Sequence, residues 1–248
     1  GQVLSFVLAI GYLRNFRTVK LLWKHFIPRF KHFSQTMLLG LAPAFNQVAM
    51  MVVQIIMNKT LVHYGAQSAY GAAIPLAAAG VITKTAMIFF AVIIGISQGM
   101  QPIVSFNYGA KKYDRVKEVF RLSLISGFII SFIAFLLFQI FPIQIVSIFG
   151  KGSPEYFLFS SRYFRIFMFF TFINFFQPIS ANFFTAIGKP HKGMFISLTR
   201  QIIFLLPLIF FLPMFLGIDG VVYAGPVADF FAASVSVFFI SYELKKML

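Results

Sequence analysis

Two oppositely charged residues inside apolar stretches are the first candidates for chemistry in this sequence. Asp229 lies in the apolar run 220–242, and Arg200 lies in the run 193–215. An ionisable group within such a run is costly in a membrane and is a functional hypothesis by default. Asp229 therefore serves a solute or ion pathway, or it is a structural partner of Arg200 or of a backbone group, and the sequence leaves both interpretations open. Lys84, in another apolar run, is a further candidate charge partner, or it extends to the membrane surface.

Uncharged amide side chains form a second set within the apolar runs. Gln47 and Gln54 are seven residues apart, and Asn174 and Gln177 are three apart, so each pair shares one helix face. Both pairs lie near a proline, and a polar stripe beside a proline is typical of a solute pathway at a broken helix. The alternative is hydrogen bonding between packed helices. The candidate pathway residues are Asn46, Gln47, Gln54, Asn174, Gln177, Asn182 and Asp229.

The sequence carries none of the common enzyme motifs. It lacks G-x-x-x-x-G-K-[ST], H-E-x-x-H and G-x-S-x-G, which serve nucleotide binding, zinc proteolysis and acyl transfer. It contains no Cys, so disulfides, thiol nucleophiles and Cys-ligated metals are excluded, and its four His show no metal-ligand spacing. We therefore expect no catalytic residue, no metal site and no bound cofactor.

The composition predicts the environment of these residues. Hydrophobic residues make up 59% of the 248 residues and charged residues 11%, with a mean hydropathy of +0.87. A soluble domain is about 45–50% apolar and about 25% charged, so a soluble enzyme is excluded. The apolar runs are long enough for spanning helices, which need about 20 residues each, and they lack the alternation of a β-barrel. The predicted spans are 34–57, 78–105, 117–141, 158–187, 193–215 and 220–242.

The net charge of +15 indicates membrane topology rather than nucleic-acid binding. Most Lys and Arg residues lie in alternate connections between the spans, whereas the other connections hold only Lys59 and Lys151. Cytoplasmic loops carry such an excess of positive residues. We therefore expect a multi-pass protein of the plasma membrane, with its C-terminus in the cytoplasm and no nucleic-acid partner.

The same pattern predicts four parts of the chain. Residues 1–13 are the end of a truncated transmembrane helix, and 14–33 are a basic amphipathic cytoplasmic linker, either a surface helix or an ordinary basic loop. Residues 34–243 form a six-helix transmembrane bundle, and 244–248 form a cytoplasmic tail. The predicted fold class is therefore an all-α membrane protein.

Five segments carry a resemblance to a known family. The most specific one, at 95–112, reads GISQGMQPIVSFNYGAKK. Together the segments resemble the multidrug and toxic compound extrusion (MATE) family, in particular its MepA-like bacterial branch, and they follow the family's order along nearly the whole chain. The matching segments are Gly40–Gln47, Gly95–Lys112, Phe184–Pro190, Arg200–Pro207 and Gly217–Asp229.

The resemblance implies a fold and a function. Family members have two six-helix bundles joined by a cytoplasmic linker, and this chain resembles the second bundle with the preceding linker. They export organic, often cationic, compounds in exchange for H⁺ or Na⁺. The implied partners are the lipid bilayer, small organic cations and an N-terminal six-helix bundle. In many family members carboxylates of the first bundle are implicated in ion coupling, and some sodium-coupled members also use acids on the helices that match 34–57 and 158–187. These two runs contain no Asp or Glu. The resemblance therefore implies a coupling-ion site in the other bundle.

Two other functions remain open from the sequence. The first is a flippase of the same superfamily for a lipid-linked precursor or polysaccharide, for which we expect more cations within the spans than Lys84 and Arg200. The second is a membrane assembly partner that transports nothing. The polar residues on kinked helices favour a transporter over a scaffold.

Overall fold

The computed structural model describes residues 2–14 and 30–246, and every regular element within them is a helix. The prediction of an all-α fold is therefore confirmed. The helices are α1 (Gln2–Arg14), α2 (Phe30–Ala66), α3 (Ala73–Gly109), α4 (Tyr113–Ile140), α5 (Pro142–Ile148), α6 (Pro154–Phe167), α7 (Thr171–Asn174), α8 (Phe176–Ala186), α9 (Pro190–Leu198), a π-helical segment (Thr199–Leu205), α10 (Leu206–Leu216) and α11 (Ile218–Lys245).

The chain divides into two compact units, residues 1–41 and residues 42–248. The first unit holds α1 and the start of α2, and the second holds the rest of α2 and all later helices. The apolar segment predicted at 1–13 coincides with α1. Most of the linker predicted at 14–33 lies outside the described residues, so its amphipathic helix stays a prediction.

Four helical stretches of the described residues are long and apolar enough to cross a membrane. They are α3, α4, the stretch Pro190–Leu216 and α11. The predicted spans on them are, in order, 78–105, 117–141, 193–215 and 220–242. The span predicted at 34–57 lies within α2, which has 37 residues but is not among these four, so it stays a prediction.

The run predicted as the span 158–187 is interrupted. The chain bends by 43° between α6 and the following α7–α8, so this run is a broken span or a re-entrant loop. The hydrogen bonds tighten at the break, where the Thr171 N–H donates to the Met168 carbonyl, three residues back, at 3.2 Å. The polar residues beside Pro178 predict a break there, but Pro178 lies in the first turn of α8. Backbone N–H groups in a first turn have no acceptor within the helix, so a proline at this position costs no helical hydrogen bond.

Glycines and aromatic rings determine how closely the helices pack. A Cβ atom at Gly193 on α9 would lie 2.5 Å from the Ala181 carbonyl oxygen of α8, so these helices approach at backbone contact. Phe120 of α4 and Phe183 of α8 are buried, with ring centroids 4.5 Å apart. Many other large apolar side chains are exposed, as expected for a surface that faces lipid.

Candidate functional site

A cavity of about 410 Å³ lies in the second unit and gathers side chains from α2, α3, α6, α8, α9 and the π-helical segment. Most of its lining is apolar and includes Phe90, Phe167, Met50, Met57 and Met87. A mostly apolar concave site with a few polar groups is the usual form of a small-molecule pocket. Its polar lining residues are Asn46, Gln54, Thr83, Gln177, Ser197, Arg200 and Gln201.

The contribution of α2 follows from helical spacing. Asn46, Met50, Val53, Gln54 and Met57 recur at intervals of three and four residues, which brings them to one face. Gln47, which the sequence places in the same pathway, is exposed and is not among the described residues that line the cavity. The polar face of α2 therefore consists of Asn46 and Gln54.

The π-helical segment carries Arg200 and Gln201 to the cavity. The Leu206 N–H at its end donates to the Gln201 carbonyl five residues back, as in a π-helix. Pro207 has no N–H to donate to the carbonyl four residues before it, which favours this wider turn. The local sequence thus produces the irregular helix that carries Arg200, which is the only charged residue among the described residues that line this cavity.

Asp229 is a partner of Arg200 and is hidden from the cavity. The Arg200 Nε donates to Asp229 Oδ1, and Asn174 Nδ2 donates to Asp229 Oδ2 at 2.8 Å. The side chain of Asp229 is 1% exposed, whereas that of Arg200 is 14% exposed. A buried charge requires a partner and hydrogen bonds, and this carboxylate has both. The geometry therefore supports the structural interpretation of Asp229.

Two other candidate pathway residues form bonds between helices. Asn182 Nδ2 donates to Ser97 Oγ at 2.7 Å, and Gln101 Nε2 donates to Asn182 Oδ1 at 2.6 Å, which joins α8 to α3. Gln177 lines the cavity, but its Nε2 donates to the Ile196 carbonyl of α9 at 2.7 Å. Interhelical bonding therefore accounts for much of the polar set.

Lys84 is not a charge partner of any described residue. Its side chain is exposed and does not line the cavity, although its neighbour Thr83 does. Among the described residues it forms no ion pair. The structure therefore favours the interpretation in which Lys84 extends towards the membrane surface.

Sequence reasoning missed a charged cluster at the end of α11. Glu243 is 1% exposed and accepts hydrogen bonds from Lys189 and Lys192, the latter at 2.7 Å. The hydrogen bond to Glu243 raises the pKa of the Lys189 ammonium above its ordinary value. The sequence signal that could have indicated this cluster is Glu243, an isolated acid beside Lys245 and Lys246. The cluster ties α11 to the turn between α8 and α9.

Comparison with known proteins identifies the family. The MatE family model matches residues 43–211, which include all the described residues that line the cavity. The chain belongs to the MatE family. The predicted resemblance is thereby confirmed, and since MATE proteins are multi-pass membrane transporters, so is the expectation that the protein is not an enzyme.

Individual relatives resemble this MatE chain over about half of their own length. The Multidrug export protein MepA of Staphylococcus haemolyticus is 22% identical over 240 residues, which are 96% of this chain and 50% of MepA. An outward-facing multidrug resistance MATE transporter superposes with a TM-score of 0.84 at 16% identity, over 99% of this chain and 54% of its own. An inward-facing multidrug resistance MATE transporter superposes with a TM-score of 0.78 at 16% identity, over 97% of this chain and 55% of its own. The structural similarities establish the fold.

Proposed function

We propose that this chain is one lobe of a secondary antiporter that exports organic compounds, cations among them, in exchange for H⁺ or Na⁺. The observation that carries the proposal is the cavity of about 410 Å³ on a MatE lobe. Pockets for small organic molecules typically have volumes of about 300–1,000 Å³. The relative named Multidrug export protein MepA supports the same substrate class.

The lining suits varied flat molecules. Phe90 and Phe167 offer ring faces, which attract both aromatic groups and organic cations. Met50, Met57 and Met87 have flexible side chains that adjust to ligands of different shape. Because most of the lining is apolar, a bound molecule has to satisfy few hydrogen-bonding groups of the protein. Such a surface favours broad selection over the recognition of a single compound.

Alternating access provides the mechanism. A second six-helix bundle closes the cavity, and the two bundles rock between states that open to opposite sides of the membrane. Ion and substrate fluxes are coupled because each ligand binds the two states with different affinity. Asp229 is already paired with Arg200. This pairing supports a coupling-ion site in the other bundle. The proposed antiporter lies in the plasma membrane, with its C-terminus in the cytoplasm.

A flippase for polyanionic lipid-linked precursors finds less support. A pyrophosphate-linked headgroup needs several cationic partners. Among the described residues, the cavity lining offers Arg200 alone, and Lys84 lies outside it. Export of small organic compounds is therefore the preferred function, and rescue of a cell-wall defect is the outcome that would favour flipping.

The test uses proteoliposomes that contain the full-length gene product, with ethidium as substrate. We expect efflux driven by an imposed H⁺ or Na⁺ gradient, and no efflux from vesicles that contain only these 248 residues, because one bundle does not close a cavity. Phe90→Ala removes a lining ring and should reduce efflux severalfold, whereas Phe238→Ala, at a side chain that is 70% exposed, should not. Gradient-independent leakage, or rescue only of a cell-wall mutant, would reject the proposal.

A further inference from the structure

We propose that Arg200 gives the cavity a binding point for an anionic group, so that organic substrates with a carboxylate bind better than matched molecules without one. This inference rests on the proposed function and specifies its substrate class. It depends on three features of the structure: the charge of the lining, the free donors of Arg200 and the burial of Asp229.

The charge of the lining is one-sided. Among the described residues that line the cavity, Arg200 is the only one with a formal charge, and no acid is among them. Asp229, which pairs with Arg200, is 1% exposed and does not line the cavity. A ligand in the cavity therefore meets the guanidinium and not the carboxylate.

Arg200 retains unused hydrogen-bond donors. A guanidinium has five N–H donors, and the Nε donor points to Asp229. Its terminal nitrogens form no hydrogen bond within residues 2–14 and 30–246. Because the side chain is 14% exposed and lines the cavity, these donors are available to a bound molecule.

The ion pair is a fixed dipole whose positive end faces the cavity. Asn174 holds the second oxygen of Asp229 at 2.8 Å, which keeps the carboxylate behind the guanidinium. Electrostatic interactions are stronger in an apolar, partly enclosed site than in water. A carboxylate can accept two parallel bonds from an arginine, whereas a cation gains nothing there.

The apolar remainder of the lining defines the rest of the ligand. Phe90 and Phe167 favour an aromatic body, and the acidic group then lies at the end that reaches Arg200. A positive group on the same molecule has no acidic partner among the described lining residues, so it lies against the ring face of Phe90 or Phe167 or against another part of the transporter. The predicted substrates are therefore aromatic acids and amphoteric aromatic compounds.

The experiment compares two dyes that differ at one group. Rhodamine 110 carries a free carboxylate, and rhodamine 123 is its methyl ester. Binding of each dye to the full-length transporter in detergent is measured by fluorescence anisotropy, and efflux of each is measured in proteoliposomes. We expect about tenfold tighter binding of the acid, as a charged hydrogen bond provides.

The variants isolate the guanidinium. The double substitution Arg200→Gln with Asp229→Asn removes both charges together, so that no unpaired charge remains in the bundle, and it should bring the acid-to-ester affinity ratio close to one. Lys84→Gln removes a cation outside the cavity and should leave the ratio unchanged. If the double variant does not fold, the acid-to-ester affinity ratio of the unmodified protein still tests the inference, because a ratio close to one would overturn it.

The outcomes separate this inference from the proposed function. Efflux of both dyes without a preference for the acid, or a preference that persists in the folded double variant, would overturn the role of Arg200 and leave the exporter intact. Efflux of neither dye, together with no ethidium efflux, would overturn both. A preference that disappears equally in Lys84→Gln would also overturn the inference, because it would indicate general surface charge.

Discussion

Many polar side chains within the described helices bind backbone carbonyls or one another, and seven polar side chains line the cavity. Asn182 binds Ser97 and Gln101 on a neighbouring helix, and Asp229 binds Asn174 and Arg200. Water is absent from the hydrocarbon core, so each polar group there needs a protein partner. At the residue scale the bundle therefore depends on a small number of specific pairs.

The buried pair should matter for stability more than its exposed counterpart on the same helix. Asp229→Asn leaves the mostly buried Arg200 without a counter-charge, and breaking such a pair is expected to cost about 3 kcal/mol. Asp219→Asn disrupts the ion pair between Asp219, which is 34% exposed, and Arg162, which is 49% exposed. Because this pair is exposed to solvent, its loss should lower the free energy of unfolding by less than about 1 kcal/mol. Thermal unfolding in detergent should show a much larger fall in Tm for Asp229→Asn, and equal falls would contradict this ranking.

The sequence predicts some of these pairs and not others. Arg200 and Asp229 stand out because ionised groups are rare within apolar runs. Each of them therefore has few possible charge partners, and their pairing can be considered from the sequence. Ser97 and Gln101 are 85 and 81 residues from Asn182, and their contact depends on how two helices rotate and slide against each other. A single sequence carries no signal for that register.

Irregular helix geometry positions the site at the scale of the elements. The break between α6 and α7 follows a run of bulky aromatic residues, and the π-helical segment precedes Pro207. Pro207 offers a physical reason for the second irregularity, although the sequence analysis predicts none there. Pro178 lies in a first helical turn, where it disturbs nothing. The apolar runs predict where helices lie better than where they bend.

The close contact between α8 and α9 gives a test at this scale. Gly193→Ala places a methyl group 2.5 Å from a backbone oxygen of α8, so the helices must separate, at a cost of about 1–3 kcal/mol. Gly99→Ala on α3 meets nothing within 4 Å and should be neutral or slightly stabilising, because alanine is the better helix former. The two Tm values in detergent provide the comparison, and a Gly193→Ala protein as stable as the parent would refute the tight packing.

Charged residues of the second unit cluster at one end of it. Lys189, Lys192 and Glu243 meet at one end of the second unit, close to Tyr108 at the end of α3. Three chain segments therefore converge at the end that the sequence assigns to the cytoplasm. Arg162 and Asp219 join the second half of α6 to the start of α11.

Labelling in intact cells tests this orientation. Lys112→Cys lies in the turn after α3, and Lys151→Cys lies in the connection before α6. In an otherwise Cys-free full-length protein, a membrane-impermeant maleimide should label position 151 and should reach position 112 only after the cells are opened. Labelling of position 112 from outside would reverse the predicted topology.

Substrate protection in the full-length transporter tests most directly whether the cavity is a solute pathway. Ser197→Cys places a thiol in the cavity lining, and Ala69→Cys places one at an exposed position in the turn between α2 and α3, so that each variant replaces a small residue. The chain itself contains no Cys, so any other Cys to be removed lies outside these residues. We predict that a transported dye slows maleimide labelling of Ser197→Cys severalfold and leaves the labelling rate of Ala69→Cys unchanged. An unchanged rate at position 197, at dye concentrations that saturate transport, would contradict the account.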